Sequence, residues 1–360
     1  RLADGKQLWD RIVKPGPWVI SDLRGGYAAP TPASDGKHVY AVFGSSILHA
    51  LTLDGKQTWS QVIPDHTAFD VAMASSPVVF GDTVILLTDR KSSKATIQAF
   101  DAATGKQRWL CKREKTSFSH VTPVLAKVNG RPQLLVSATY ALQGVDPKNG
   151  EVIWSCKWGR GIWPVASPVM TKGLVYCMGG RGGHPGLIVD PGGAGDVTAT
   201  HERWRVNEMA IGFSSPLVHD GRLYVIDNSA NLFALDAGTG ATQWETSVGT
   251  VGKSSPVWAD GKLYVTEVNG NIRILQPGPD GATELDHDEL QVEEGRHAEI
   301  YGSFAIGYGR LYLTAESGIY CIGNPGATFM ATAGVNPNLG TETASTRTPA
   351  LIQAVPAEVI

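Results

Sequence analysis

The chain has 360 residues, with 31 Lys and Arg against 34 Asp and Glu, a formal net charge of −3 and 42% hydrophobic residues. The two signs nearly cancel and no basic stripe runs along it, which argues against a nucleic-acid partner. No apolar run approaches the roughly 20 residues of a membrane-spanning helix, and 42 Gly and 21 Pro, spread evenly, suit many tight turns between short strands.

In chain order, residues 3–9 read ADGKQLW and end in Trp9. A fuller unit starts at Pro32 in TPAS, passes through DGKHVYAV and closes with ALTLDGKQTW at Trp59. The next runs SSPVV, GDTVILLT, AFDAATGKQRW to Trp109, and the third VTPVL, RPQLLVSA, GVDPKNGEVIW to Trp154. A fourth has ASPVM, KGLVYCMG and a stretched VDPGGAGDVTATHERW ending at Trp204. The fifth has SSPLV, DGRLYVID and ALDAGTGATQW, ending at Trp244. The sixth opens with SSPVW and DGKLYVTE, and the seventh has GSFAI, YGRLYLTA and GIYCIGNP. The period is about 40–50 residues, the signature of a repeat architecture.

Each unit reads as four short strands: the S-S-P segment, the LYV segment after a D-G turn, the LFALD segment, and the segment ending in Trp after a T-G turn. No segment sustains a helical period, so helix content should be very low. A lone four-stranded sheet cannot bury both apolar faces, whereas sheets stacked radially into a closed ring can. The expected fold class is therefore all-β, a β-propeller of four-stranded antiparallel blades. In the repeated phrase, Ala99 and Ala234 are small where the third strand enters the interior, and Asp101 and Asp236 can bond the turn backbone. Gly105 and Gly240 turn the chain, and the Trp packs against the neighbouring blade. Trp9, Trp59, Trp109, Trp154, Trp204 and Trp244 form this structural series.

Seven units carry the first three strands, and the seventh lacks a Trp strand of its own, which LADGKQLW at the N-terminus can supply. The expectation is seven blades with an N-terminal strand closing the last; the alternative is an eight-bladed ring whose first blade lies upstream. Residues 1–324 form the propeller. Residues 325–360, small, polar and Pro-punctuated, read as an extended linker leading to the start of a further domain. The chain starts at Arg1, which points to a removed leader or a fragment, and no secretion signal remains in it.

The motif A-x-D-x-x-T-G-x-x-x-W, complete at 99–109 and 234–244, resembles the pyrroloquinoline-quinone-like (PQQ-like) β-propeller repeat family. The likeness is greatest to bacterial secreted or periplasmic members and covers roughly residues 1–324. It implies a periplasmic or extracellular location. Quinoprotein alcohol dehydrogenases in that family imply PQQ, a calcium ion, a catalytic Asp and a vicinal Cys–Cys disulfide. The four cysteines here, Cys111, Cys156, Cys177 and Cys321, are never adjacent and form no C-x-x-C pair, so neither that disulfide nor a zinc site is expected. They are expected to be buried thiols. Another branch of the family, the propeller lipoprotein of outer-membrane β-barrel assembly, is a binding scaffold without cofactor.

No G-x-S-x-G elbow or H-E-x-x-H occurs. GTVGKSSP at 249–256 has the wrong glycine spacing for a phosphate loop and leads into a strand. GGRGGHPG at 179–186 reads as a loop between the second and third strands of its blade, and ELDHDEL at 284–290 as a solvated outer strand. Residues just before the first strand of each blade approach the axis of a propeller. Here they include Arg24, Tyr27, Asp70, His120, Trp163, Lys253, Glu299 and Tyr301, a mixed, aromatic-rich set suited to a binding surface. The functional expectation is a non-catalytic scaffold for a protein, peptide or glycan, monomeric and without cofactor; the alternative is a PQQ-dependent oxidoreductase.

Overall fold

A computed structural model describes residues 6–14, 28–63, 74–89, 95–113, 119–180, 186–206, 209–307 and 309–323, with the backbone of 355–356. It is all-β, a seven-bladed β-propeller of four-stranded antiparallel sheets. The sole helix among the described residues is the four-residue Thr198–His201. No helix there is long and apolar enough to cross a membrane. The chain divides into two compact units, Trp9–Asn207 and the remainder, Arg1–Leu8 with Glu208–Ile360.

The first unit holds four sheets. Blade 1 pairs Ala33–Ser34, His38–Val42, Ile47–Thr52 and Gln57–Val62 in order, and blade 2 pairs Val78–Phe80, Thr83–Thr88, Thr96–Asp101 and Gln107–Lys112. Blade 3 is built from Val124–Val128, Arg131–Ser137, Ala141–Val145 and Val152–Lys157, and blade 4 from Val169–Thr171, Leu174–Cys177, Gly186–Val189 and Glu202–Val206. The second unit holds three blades and a two-stranded ribbon, Gln291–Glu293 with Arg296–His297. Blade 5 is Leu217–His219, Arg222–Ile226, Asn231–Asp236 and Thr242–Ser247, and blade 6 is Val257–Ala259, Lys262–Thr266, Asn271–Pro277 and Ala282–Glu289. Blade 7 has Ala305–Gly307, Arg310–Ala315 and Gly318–Ile322. The middle strands are Val, Leu, Ile and Tyr runs, and they carry most of the buried core.

The eleven-residue phrase behaves as its chemistry requires. Asp101 Oδ1 accepts from Ala103 N at 3.1 Å, Thr104 N at 2.8 Å and Thr104 Oγ1 at 2.8 Å. Asp236 repeats the pattern with Gly238 N, Thr239 N and Thr239 Oγ1 at 3.0, 2.8 and 2.8 Å. These are turns closed by an aspartate side chain. Gly105 sits at φ +71°, and an added Cβ would lie 2.6 Å from the Trp59 ring of the preceding blade. The glycine therefore does two jobs: it takes the left-handed conformation, and it leaves room for the neighbour's indole. Trp59 Nε1 donates to Ala102 O at 2.9 Å, Trp109 to Pro147 O at 3.2 Å, Trp244 to Gly278 O at 3.2 Å and Trp9 to Leu53 O at 2.8 Å. Each indole thus fills the gap to the next blade and bonds its turn.

The S/T-P phrase has its own role. Thr31 N donates to Ser76 Oγ (2.9 Å), Ser76 N to Thr122 Oγ1 (3.1 Å) and Thr122 N to Ser167 Oγ (3.2 Å). In the second unit Ser215 N donates to Ser255 Oγ (2.9 Å) and Ser255 N to Ser303 Oγ (2.7 Å). In blades 2, 3, 4, 6 and 7 one hydroxyl, at the same repeat position, satisfies a backbone N–H of the blade before it. Such a group would otherwise be costly to leave unpaired away from water.

Three features depart from the other repeats or from expectation. Trp154 lies between blades 3 and 4 in a core with Val175, Cys177, Leu187 and Val189, but its N–H donates to Gln133 Oε1 of its own sheet at 2.8 Å. The reason is local: where blades 1, 2 and 5 place Ala opposite the Trp, blade 3 has Gly144, paired with Trp154. A Cβ there would lie 2.1 Å from the indole nitrogen. Second, residues 6–14 carry no strand, and the fourth strand of blade 7 is Val355–Pro356, which pairs with Gly318 and Ile319. An open strand edge accepts whatever extended segment reaches it. Trp9 nonetheless seats its indole on blade 1, where an added Cβ at Gly55 would be 2.5 Å away. The rest of 325–360 lies outside the described residues. Third, the four cysteines are free thiols, but only Cys156 and Cys177 are buried, while Cys111 and Cys321 are half-buried because they lie on outer strands or sheet edges. Burial pushes the Cys177 thiol up to about 12 and Cys156 to about 11.

Candidate functional site

Of the eight residues placed at the blade openings, Arg24, Tyr27 and Asp70 lie outside the described residues. The other five fall into two groups, one in each unit.

In the second unit, the residue immediately before each first-strand phrase is Phe213 in blade 5, Lys253 in blade 6 and Tyr301 in blade 7. Repeat register stacks them. Lys253 Nζ lies 5.2 Å from the Phe213 ring centre and 4.8 Å from that of Tyr301, a cation held between two aromatic faces. Tyr301 OH donates to Glu299 Oε2 at 2.6 Å. Three sequence-predicted residues therefore converge, and Phe213 joins them.

In the first unit, the His120 N–H donates to Pro164 O at 3.1 Å, joining the loops before blades 3 and 4. Trp163 is 45% exposed and Tyr140, in the turn between the second and third strands of blade 3, is 54% exposed. The loop 158–163 is bound to that turn: Trp158 N donates to Tyr140 O at 3.0 Å and Ile162 N to Thr139 O at 2.8 Å. The Tyr140 ring covers Gly161, 3.1 Å from where a Cβ would stand. Behind Trp163, its carbonyl oxygen would lie 2.1 Å from a Cβ at Gly180. Two large aromatic side chains thus stand exposed on backbone that is fixed at several points.

The loops are anchored by a feature that the sequence reading did not use. The second-strand phrase ends in an acid in four blades, at Asp89, Asp227, Glu267 and Glu316. Glu267 is buried and accepts from Thr250 N and Oγ1, Val251 N at 2.9 Å and Asn271 Nδ2 at 2.6 Å. Burial pushes its carboxyl up, and these donors outweigh that and leave it below the ordinary range. Two backbone donors of the glycine loop at 249–256, Thr250 N and Val251 N, are therefore engaged by a carboxylate. Asp89 receives both 2.8 Å bonds from Arg113 Nη1 and one from Ser119 Oγ at 3.0 Å, with the ion pair fully enclosed. Burial pushes Asp89 up to about 6 against the pull of that arginine. The recurring acid after LLT, YVI, YVT and LTA was the available signal.

The ELDHDEL segment lies on the exposed outer strand of blade 6, where Glu284 pairs with Arg273 and His287 contacts Asn271 at 2.8 Å. Among the described residues no three His, Cys, Asp or Glu come together as a metal site would need.

The PQQ_2 family model, described as "Outer membrane protein assembly factor BamB", matches residues 1–189 and 193–283. The chain is similar to the serine/threonine-protein kinase AfsK of Streptomyces griseus, at 31% identity over 58% of this chain and 24% of the kinase. It is similar to the outer membrane protein assembly factor BamB of Yersinia pestis, at 25% identity over 66% of this chain and 58% of that protein. The chain therefore spans less than two thirds of each of these relatives. Among solved structures, BamB from Moraxella catarrhalis superposes with a TM-score of 0.62 at 16% identity, covering 80% of this chain and 82% of that one. That likeness is one of fold.

Proposed function

The chain belongs to the PQQ_2 family described as outer membrane protein assembly factor BamB, and from that premise we propose that it is a non-catalytic β-propeller scaffold of the cell envelope that binds a partner protein through its blade-opening loops. The observation that carries the reading is the pair of exposed aromatics, Tyr140 and Trp163, on loops pinned by Gly161, Gly180 and the 139–162 hydrogen bonds. Large rigid aromatics cost little side-chain entropy on binding and are the residues that most often dominate protein interfaces. BamB of Yersinia pestis is named as an assembly factor for outer membrane proteins, and a role in holding a protein partner agrees with that name.

The test is site-specific photocrosslinking in envelope fractions, with a benzophenone amino acid at Tyr140 or Trp163 and, as control, at Leu285 on the outer strand of blade 6. Discrete crosslinked species from the first two positions and none from Leu285 are expected. Equal capture at all three, or none, contradicts the proposal.

A resident quinone does not fit the residues present. The four cysteines include no adjacent pair, and the buried loop acids Asp89 and Glu267 are already engaged by the chain's own donors. The scaffold reading expects titration with PQQ and calcium to leave the absorption spectrum and the melting temperature unchanged.

A further inference from the structure

A groove opens beside the turns of blades 3 and 4, next to the buried Trp154–Gln133 pair. In the other contacts described, the Trp reaches the turn of the next blade; Trp154 turns back to Gln133 instead. The blade 4 turn that it forgoes is the stretched 190–201 segment. Gly195–Asp196 there adds as a fifth, parallel strand to the edge of blade 3. Between the two turns lies a cavity of about 710 Å³, lined among others by Arg131, Gln133, Asp146, Lys148, Ile153 and Gly192.

Cations on the edges of other blades are paired within the chain. In blade 2, Arg108 is bound to Asp82 and Asp101, each at 2.6 Å. In blade 5, Arg222 donates to Gln243 Oε1 and Gly278 O, both at 2.7 Å, and in blade 6 Lys262 pairs with Asp260 at 2.9 Å. In blade 3, by contrast, neither Arg131 nor Lys148 has a side-chain hydrogen-bond or ion-pair partner among the described residues. The one lining carboxylate, Asp146, accepts the Lys148 backbone N–H at 2.8 Å and closes its own turn. Gln133 is buried, and its oxygen is taken by Trp154, so its amide nitrogen is the donor left to face the groove.

We propose that this groove between blades 3 and 4 is a binding site for a small organic anion. Arg131 and Lys148 would clamp its carboxylate or phosphate, Gln133 would donate from the floor and Ile153 would meet its apolar part. The volume falls in the usual range for small-molecule sites, and the guanidinium fork suits a planar or tetrahedral oxyanion. The proposal is independent of partner binding at the blade openings.

The probes are phenylacetate and phenyl phosphate, which separate the two anion types. They are titrated into the full chain labelled with ¹⁵N at its indoles, the Trp154 resonance being assigned from Trp154→Phe. A saturable shift of the Trp154 N–H is expected with one or both probes. Arg131→Ala and Lys148→Ala, both at exposed positions, should each weaken binding by roughly tenfold or more. No shift of the Trp154 resonance with either probe at millimolar concentration would overturn the proposal. So would binding that the two alanine variants leave unchanged.

Discussion

An aspartate that closes a turn and a histidine sealed inside a strand respond to different solvents of the fold. Asp236 holds three donors of its turn. Asp236→Ala removes all three acceptor contacts, and urea denaturation should show a loss of about 1–2 kcal/mol, given that the site faces solvent. Thr239→Ala, which leaves the two backbone contacts, should cost less. His49 is fully buried in the third strand of blade 1. Burial holds its imidazole below the ordinary value of 6.5, with Gln57 pulling the other way. The unfolded chain then takes up the proton at a higher pH than the folded one. His49 therefore leaves stability intact above about 6.5 and subtracts from it as pH falls through and below that value. Melting temperature measured from pH 8 to pH 5 should fall, and His49→Leu should flatten the part of that fall that belongs to this residue. An unchanged slope in the variant would remove His49 as its source.

Between neighbouring strands and blades, the same glycine can serve one need or two. Gly221 has φ +77° with nothing within 4 Å of a Cβ, whereas Gly105 combines φ +71° with the Trp59 ring at 2.6 Å. Gly221→Ala should cost about 1 kcal/mol from backbone strain alone. Gly105→Ala should cost a further 1–3 kcal/mol, because the indole must move; equal losses in the two variants would show that the close approach carries no energy. The hydroxyl ladder gives a parallel case. Ser76→Ala leaves the Thr31 N–H without its acceptor and should cost about 1 kcal/mol. These elements also mark what could be read from residues alone. The D-x-x-T-G turn, the small Ala and the Trp announce themselves because local sterics impose them in each copy. Trp154 did not, since its direction is set by one atom, the Cβ that Gly144 lacks, together with a turn of unusual length in the next blade. The S/T-P serines looked like strand punctuation, and their partners, about 45 residues away, become visible only when the repeats are stacked. Lys253, Glu299 and Tyr301 were legible as a group because the repeat register puts equivalent positions side by side; Phe213 follows from the same rule.

For the molecule as a whole, the account rests on blades that are weak alone and are bound to their neighbours by indoles and serine hydroxyls. A rigid frame of this kind is what allows exposed aromatics such as Tyr140 and Trp163 to be held ready for a partner. Coupling of this sort should appear as shared protection. Trp59 belongs to blade 1, yet its N–H is bonded to Ala102 of blade 2, and its ring packs with Tyr40 and Leu48 on one side and Val84 and Phe100 on the other. Trp59→Ala should lower stability by about 3–5 kcal/mol. The decisive measurement is amide hydrogen exchange in that variant. Protection is predicted to fall together in Ile47–Thr52 of blade 1 and Thr83–Thr88 of blade 2. A loss confined to Gln57–Val62, with the blade 2 strand exchanging as in the unaltered protein, would contradict it.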